Sequence, residues 1–192
     1  MYKPLLAAAI AAAAAIAVPA HATSIALAAD GQWNEFDVDS FLAQDFGNGW
    51  IDETDGSALS FTFTVAAGSV GRLTVVDAGV AGDTFAVTNF GALLGATSGV
   101  PAGDPAGQTQ LDFDAALADP AWSRGVFTLA PGAYSISGSL LQSVFGDDGS
   151  TSGALRLSVS AVPEPASGTL LLAGLAGVAA LVRRRRHSRT AA

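Results

Sequence analysis

The residues of this 192-residue sequence with chemistry to offer are carboxylates and little else. Glu35 and Glu53 stand near Asp37, Asp39, Asp52 and Asp55, and a pair of such acids, one protonated and one ionised, is the machinery of glycoside hydrolysis. Asp52-Glu53-Thr54-Asp55-Gly56 and Asp147-Asp148-Gly149-Ser150 put hard oxygen donors on glycine-containing loops. Calcium takes such donors, so Asp52, Asp55, Asp147 and Asp148 are the calcium candidates. Neither loop has the Asp-x-Asp-x-Asp-Gly spacing with a distal glutamate, and no metal ligand set is assigned. Other chemistry is excluded by residue type. The chain has no cysteine, its one lysine is Lys3, and its two histidines, His21 and His187, lie in the terminal segments. A Ser-His-Asp triad, a Cys-His pair, a Schiff-base lysine and a His or Cys zinc site each need a residue that the middle of the chain lacks. The expectation is therefore a protein without catalytic residues or a required cofactor, whose acids keep a lysine-free surface soluble.

What must position these acids is a body whose periodicity is two. Half of the chain is hydrophobic, 14% is charged and 22 residues are glycine, a composition for one folded core at this length. Between Thr23 and Val162, sixteen Asp or Glu face only Arg72, Arg124 and Arg156, a balance that argues against nucleic acid as a partner. Leu59-Ser60-Phe61-Thr62-Phe63-Thr64-Val65 alternates without fault, and the pattern recurs at Arg72–Val76, Thr84–Thr88, Val126–Leu129, Tyr134–Leu140 and Leu155–Val159. Turn chemistry separates these runs at Ala67-Gly68, Ala81-Gly82-Asp83, Asn89-Phe90-Gly91, Ala130-Pro131-Gly132 and Asp147-Asp148-Gly149. One helix is expected at Asp112–Ala118, stopped by Asp119-Pro120. The fold class is all-β: an antiparallel, jelly-roll-like β-sandwich over residues 23–161. Its inward set is Phe61, Phe63, Leu73, Val75, Phe85, Val87, Phe127, Tyr134, Ile136, Leu155 and Leu157.

The two ends read as targeting segments. Lys3, the apolar run Leu5–Val18 and Pro19-Ala20-His21-Ala22 form a signal peptide over residues 1–22. Ala20 and Ala22 supply the small residues that signal peptidase requires, with cleavage after Ala22. At the other end, Ala166–Val182 is seventeen residues without a charge, at the short end of the range of about 17 to 25 that spans a bilayer. Arg183, Arg184, Arg185 and Arg186 follow it and would hold that side in the cytoplasm, leaving the body outside.

Val162-Pro163-Glu164-Pro165, then a short apolar span, then an arginine cluster over residues 183–192, resembles the PEP-CTERM sorting signal. The resemblance implies that Pro163, Glu164 and Pro165 are read by an exosortase-type membrane processing enzyme. It further implies passage through an inner-membrane intermediate, removal of the helix, and delivery to the cell surface or extracellular matrix of a Gram-negative bacterium. Two prolines without N–H groups keep this motif extended and outside the helix. Within the body, Leu73–Ala78, Gly82–Val87, Gly91–Ser98, Arg124–Leu129, Pro131–Ile136 and Ala154–Leu157 resemble a secreted β-sandwich module found in PEP-CTERM proteins. The resemblance departs at Thr88-Asn89-Phe90, where relatives carry an acidic-Asn-Gly turn. It implies no catalytic activity, and Asp77 and Asp83 are read as satisfying turn backbone groups. The functional expectation is a non-enzymatic exported surface or matrix protein. The alternative is a carbohydrate-binding module of the exopolysaccharide matrix, for which Trp33, Trp50 and Trp122 are the candidate platforms. Ice binding, for which Thr62 and Thr64 would be the only array, is set aside.

Overall fold

The alternating runs are strands in the computed structural model, which describes residues 22–39, 41–43, 47–146, 150–162 and 170–179. In chain order these are β1 (Ala22–Ala26), β2 (Asn34–Asp39), β3 (Ala58–Val65), β4 (Ser69–Val80), β5 (Thr84–Asn89), β6 (Ala92–Ala96), β7 (Thr109–Gln110), α1 (Phe113–Ala118), β8 (Arg124–Leu129), β9 (Gly132–Gln142) and β10 (Ser150–Ala161). A further helix, α2, occupies residues 170–179. One sheet has the order β1-β3-β9-β5-β6. The other runs β2-β10-β4, and the far edge of β4 is shared by β8, along Gly71–Val76, and β7, along Gly79–Val80.

Neighbouring strands are antiparallel with one exception. β1 runs parallel to β3, with Ala22 opposite Ala58, which corrects the expectation of a wholly antiparallel sandwich. The chain between Ala26 and Ala58 first contributes β2 to the other sheet, and a connection of that length can return a strand in the same direction. β1 therefore starts at the Ala58 end of β3, whereas β10 ends at Ala161 opposite Ser69, where β3 turns into β4. The N-terminal strand and the exit toward the C-terminal segment lie at opposite ends of the body.

The core is sealed by the expected face of each strand. Phe61, Leu73, Val75, Phe85, Val87, Ile136, Leu155 and Leu157 are buried together, while Phe63, Phe127 and Tyr134 are half-buried at its margin. Phe36 of β2 stacks on Trp50 at 3.8 Å between centroids and meets Phe85 edge-on at 5.2 Å. Each such ring contributes about 1.5–3 kcal/mol by leaving water. The opposite face of the β10-β4-β8 sheet is only half covered. There α1 and Trp122 bury Val76 and Ala154 in a second, smaller cluster with Ala116. The Asp112 side chain caps α1 by accepting the N–H groups of Asp114 and Ala115. This is the acid the sequence places at the helix start.

Candidate functional site

Cross-strand register brings the three arginines of the body to one place. On the outer face of the second sheet, Ser158, Arg72 and Thr128 lie in one row, Arg156, Thr74 and Val126 in the next, and Ala154, Val76 and Arg124 in a third. Residues two apart on a strand share a face, so these nine positions form a grid with Thr74 at its centre. Helix α1 covers the third row. The uncovered rows and the helix wall enclose a cleft of about 490 Å³ lined by Arg72, Thr74, Arg124, Val126, Arg156 and Ser158, among others.

The walls hold two of the cations in place. Arg124 Nη1 donates to the carbonyls of Leu117 and Asp119 at 3.2 and 3.1 Å, fastening the end of α1 to β8. Arg156 Nη1 donates to Asp114 Oδ1 at 2.8 Å, and its guanidinium lies 4.3 Å from the centre of the Trp33 ring. Asp114 stays 67% exposed, so solvent screens this pair and its stabilising contribution is small. Arg72 is exposed and forms no ion pair among the described residues.

The acids separate into two environments. Alternation in β2 buries Phe36 and Val38 and turns Glu35, Asp37 and Asp39 away. Asp37, Asp39 and Glu53 then meet in a pocket of about 220 Å³ that also touches Leu42, Phe145 and Thr151. Burial, followed by the charges of Glu53, Glu35, Asp52 and Asp39, pushes the Asp37 carboxyl up to about 6. The sequence places these acids near one another, and the structure unites three of them. Asp52 and Asp55 instead close their own loop: Asp52 Oδ1 accepts the Thr54 N–H at 2.8 Å, and Asp55 Oδ1 accepts that of Ser57 at 2.9 Å. Among the described residues, no three or more His, Cys, Asp or Glu are grouped to hold a metal ion. Asp147 and Asp148 lie outside the described residues.

The second environment is fully buried. Asp77 and Asp83 are both 0% exposed. Asp77 Oδ2 accepts the N–H groups of Gly82 and Asp83, the turn role expected of it. Asp83 takes the Val144 N–H and the Thr151 hydroxyl, tying the β4–β5 turn to β10 and to the segment after β9. Burial and the neighbouring Asp83 push Asp77 up to about 8, and burial raises Asp83 as well. Among the described residues Asp77 Oδ1 is buried with no hydrogen-bond partner, which further disfavours a charge spread over both oxygens.

The tryptophans divide in the same way. Trp50 and Trp122 are 2% and 1% exposed core residues, so neither presents a platform to a ligand. Trp33 is half-buried between Phe113 and Arg156. The arginine convergence has no signal in the linear sequence beyond the outward phase of each arginine in its own strand. Ala22 opens β1, whereas Ala20, Pro163, Glu164, Pro165 and Arg183, Arg184, Arg185 and Arg186 lie outside the described residues. Among the described residues, no helix is long and apolar enough to cross a membrane.

No curated protein matches this chain. The pre-peptidase C-terminal domain of a Bacillus anthracis collagenase is similar at 12% identity and a TM-score of 0.38, covering 73% of this chain and 97% of that one. Aeromonas hydrophila PliG, a periplasmic inhibitor of g-type lysozyme, is similar at 14% identity and a TM-score of 0.33, covering 72% and 96%. Both likenesses are distant. Residues 161–186 match the PEP-CTERM protein-sorting motif, and this match begins on Ala161, the last residue of β10. The chain thus carries a PEP-CTERM sorting motif directly behind a β-rich body.

Proposed function

We propose that this chain is a non-enzymatic exported protein, sorted by its C-terminal motif to the surface or extracellular matrix of a Gram-negative bacterium. The observation that carries this reading is the sorting motif at residues 161–186. Such a motif implies an exosortase-type processing partner. In this reading residues 1–22 are a signal peptide removed by signal peptidase, residues 23–161 are the exported domain, and residues 162–192 are the sorting tail, whose helix 166–182 spans the inner membrane before processing. The apolar side chains of Leu170, Leu171, Leu172, Leu175 and Val178 along α2, all exposed, support a segment that lies in lipid. The opposite placement of β1 and the end of β10 supports an arrangement in which the tail can be cut without disturbing the entry strand. A catalytic role is not part of the proposal. Of the acids near Asp37, Asp52 and Asp55 serve their own turn.

Mass spectrometry of the protein taken from its own host tests the reading. The expected chain begins at Thr23 and ends near Pro165, and Glu164→Ala should leave the tail attached while the body folds as before. A mature surface protein that keeps Arg183–Ala192 would make the tail an ordinary anchor and end this reading.

A further inference from the structure

The arginine cleft is the one place on an acidic body where positive charge is concentrated. Sixteen acids lie between Thr23 and Val162, yet all three arginines of that span line one cleft. On strand spacings, Arg156 stands directly across from Thr74, Arg72 is two residues along the same strand, and Arg124 is one strand over and two residues on. All three Cα atoms therefore lie within about 8 Å of that of Thr74, and all three residues line the cleft. Two of these arms are already oriented, one by the carbonyls at the end of α1 and one by Asp114 and the Trp33 ring. Ordering them for a ligand thus loses little conformational entropy. Arg72 stands exposed across from them, outside any ion pair among the described residues.

We propose that this cleft is an oxyanion site that takes the carboxylate substituents of an acidic polysaccharide. The planar guanidinium fork matches a carboxylate in a two-bond arrangement. The exposed hydroxyl of Ser158, opposite Arg72, is placed to meet a neutral hydroxyl of the same sugar, while Thr74, 5% exposed, lies in the floor. An extended polymer can follow the strand direction across the rows. Beyond the cleft its charges meet an acidic surface, but at physiological salt that repulsion is screened beyond about 8 Å. The assignment of a polysaccharide rests on the extracellular destination proposed above. The chemistry of the cleft does not, so the two fail separately.

The test is a calorimetric titration of the full chain in detergent micelles with three probes: an oligogalacturonate, its neutral methyl ester, and inorganic sulfate. The oligogalacturonate should bind, more weakly as salt is raised, and the ester and sulfate should not match it. Arg72→Glu should weaken binding by at least about tenfold, the loss of one charge-assisted contact. It should leave the far-ultraviolet circular dichroism unchanged, because Arg72 is exposed. Arg156→Gln should weaken binding too, and its melting curve reports separately any loss of the contact with α1. Absence of oligogalacturonate binding at low salt, or equal binding by Arg72→Glu, overturns the proposal. Sulfate binding as tightly as the oligomer would reduce the cleft to a small-anion site. Self-association in light scattering that Arg72→Glu abolishes would assign the cleft to a second copy of the chain, and either result overturns the polysaccharide assignment.

Discussion

Asp77 shows how a residue's setting can reverse its ordinary chemistry. Its carboxyl is raised to about 8, by burial first and then by Asp83, whereas an aspartate in the unfolded chain releases its proton near 4. Between these values the folded state binds more protons than the unfolded one, so this residue's contribution is fully present below about pH 4. It is lost as pH rises through about 8. Each extra bound proton contributes a slope of about 1.4 kcal/mol per pH unit, and Asp37, raised to about 6, adds to that slope at the acid end. Urea denaturation from about pH 5 to about pH 8 should therefore show stability falling with pH. Asp77→Asn keeps an oxygen for the Gly82 and Asp83 N–H groups. It should flatten the dependence and be the more stable protein at the alkaline end, and an unchanged slope would mean that Asp77 is ionised throughout. The turn role of Asp77 is legible in Asp77-Ala78-Gly79-Val80-Ala81-Gly82-Asp83. Its protonation is not, because that depends on which strands close over it.

At the level of elements, glycines decide how closely aromatic rings approach the sheets. A Cβ on Gly138 of β9 would come within 2.5 Å of both the Ala86 carbonyl oxygen and Trp50 Cε2, and one on Gly153 of β10 would strike Phe36. The stacked Phe36–Trp50 pair thus rests on two bare strand positions. Gly138→Ala should destabilise the fold by about 1–3 kcal/mol, as overpacking does; chemical denaturation measures this, and a neutral result would show that Trp50 can shift. The alternating runs announced β3, β4, β5, β8, β9 and β10, and Asp112 with Asp119-Pro120 announced α1. Four strands went unannounced, one of them the two-residue β7, which is too short to show any alternation. β2 alternates Phe36 and Val38 with Glu35, Asp37 and Asp39, and this acid density reads as surface until β10 pairs with it. β1 and β6 are largely exposed strands at the two edges of their sheet, with little apolar phase to detect. The Asn89-Phe90-Gly91 turn formed despite its departure from the related pattern. Phe90 takes φ 48° and Gly91 φ 78°, the paired positive angles of a tight hairpin.

For the molecule as a whole, charge is the dominant feature. An excess of acids over a body with three arginines repels itself, and salt should relieve that repulsion. The melting temperature is expected to rise as sodium chloride is increased from low to moderate concentration at neutral pH, and a fall would mean that the arginine contacts outweigh the acids. Sequence alone determined the sorting motif of this protein and the strand character of the body before it. A Pro-Glu-Pro segment, an apolar run and an arginine cluster are read through their local order along the chain, and strand periodicity is likewise local. The match at residues 161–186 bears out the resemblance to the PEP-CTERM sorting signal. Tertiary structure alone decided which outward residues became neighbours. Arg72, Arg124 and Arg156 are separated by 52 and 32 residues in the chain and converge only because β10 and β8 pair with opposite edges of β4 in one register. A slip of one residue in either pairing would turn an arginine into the core, and no local pattern records which partner a strand will choose.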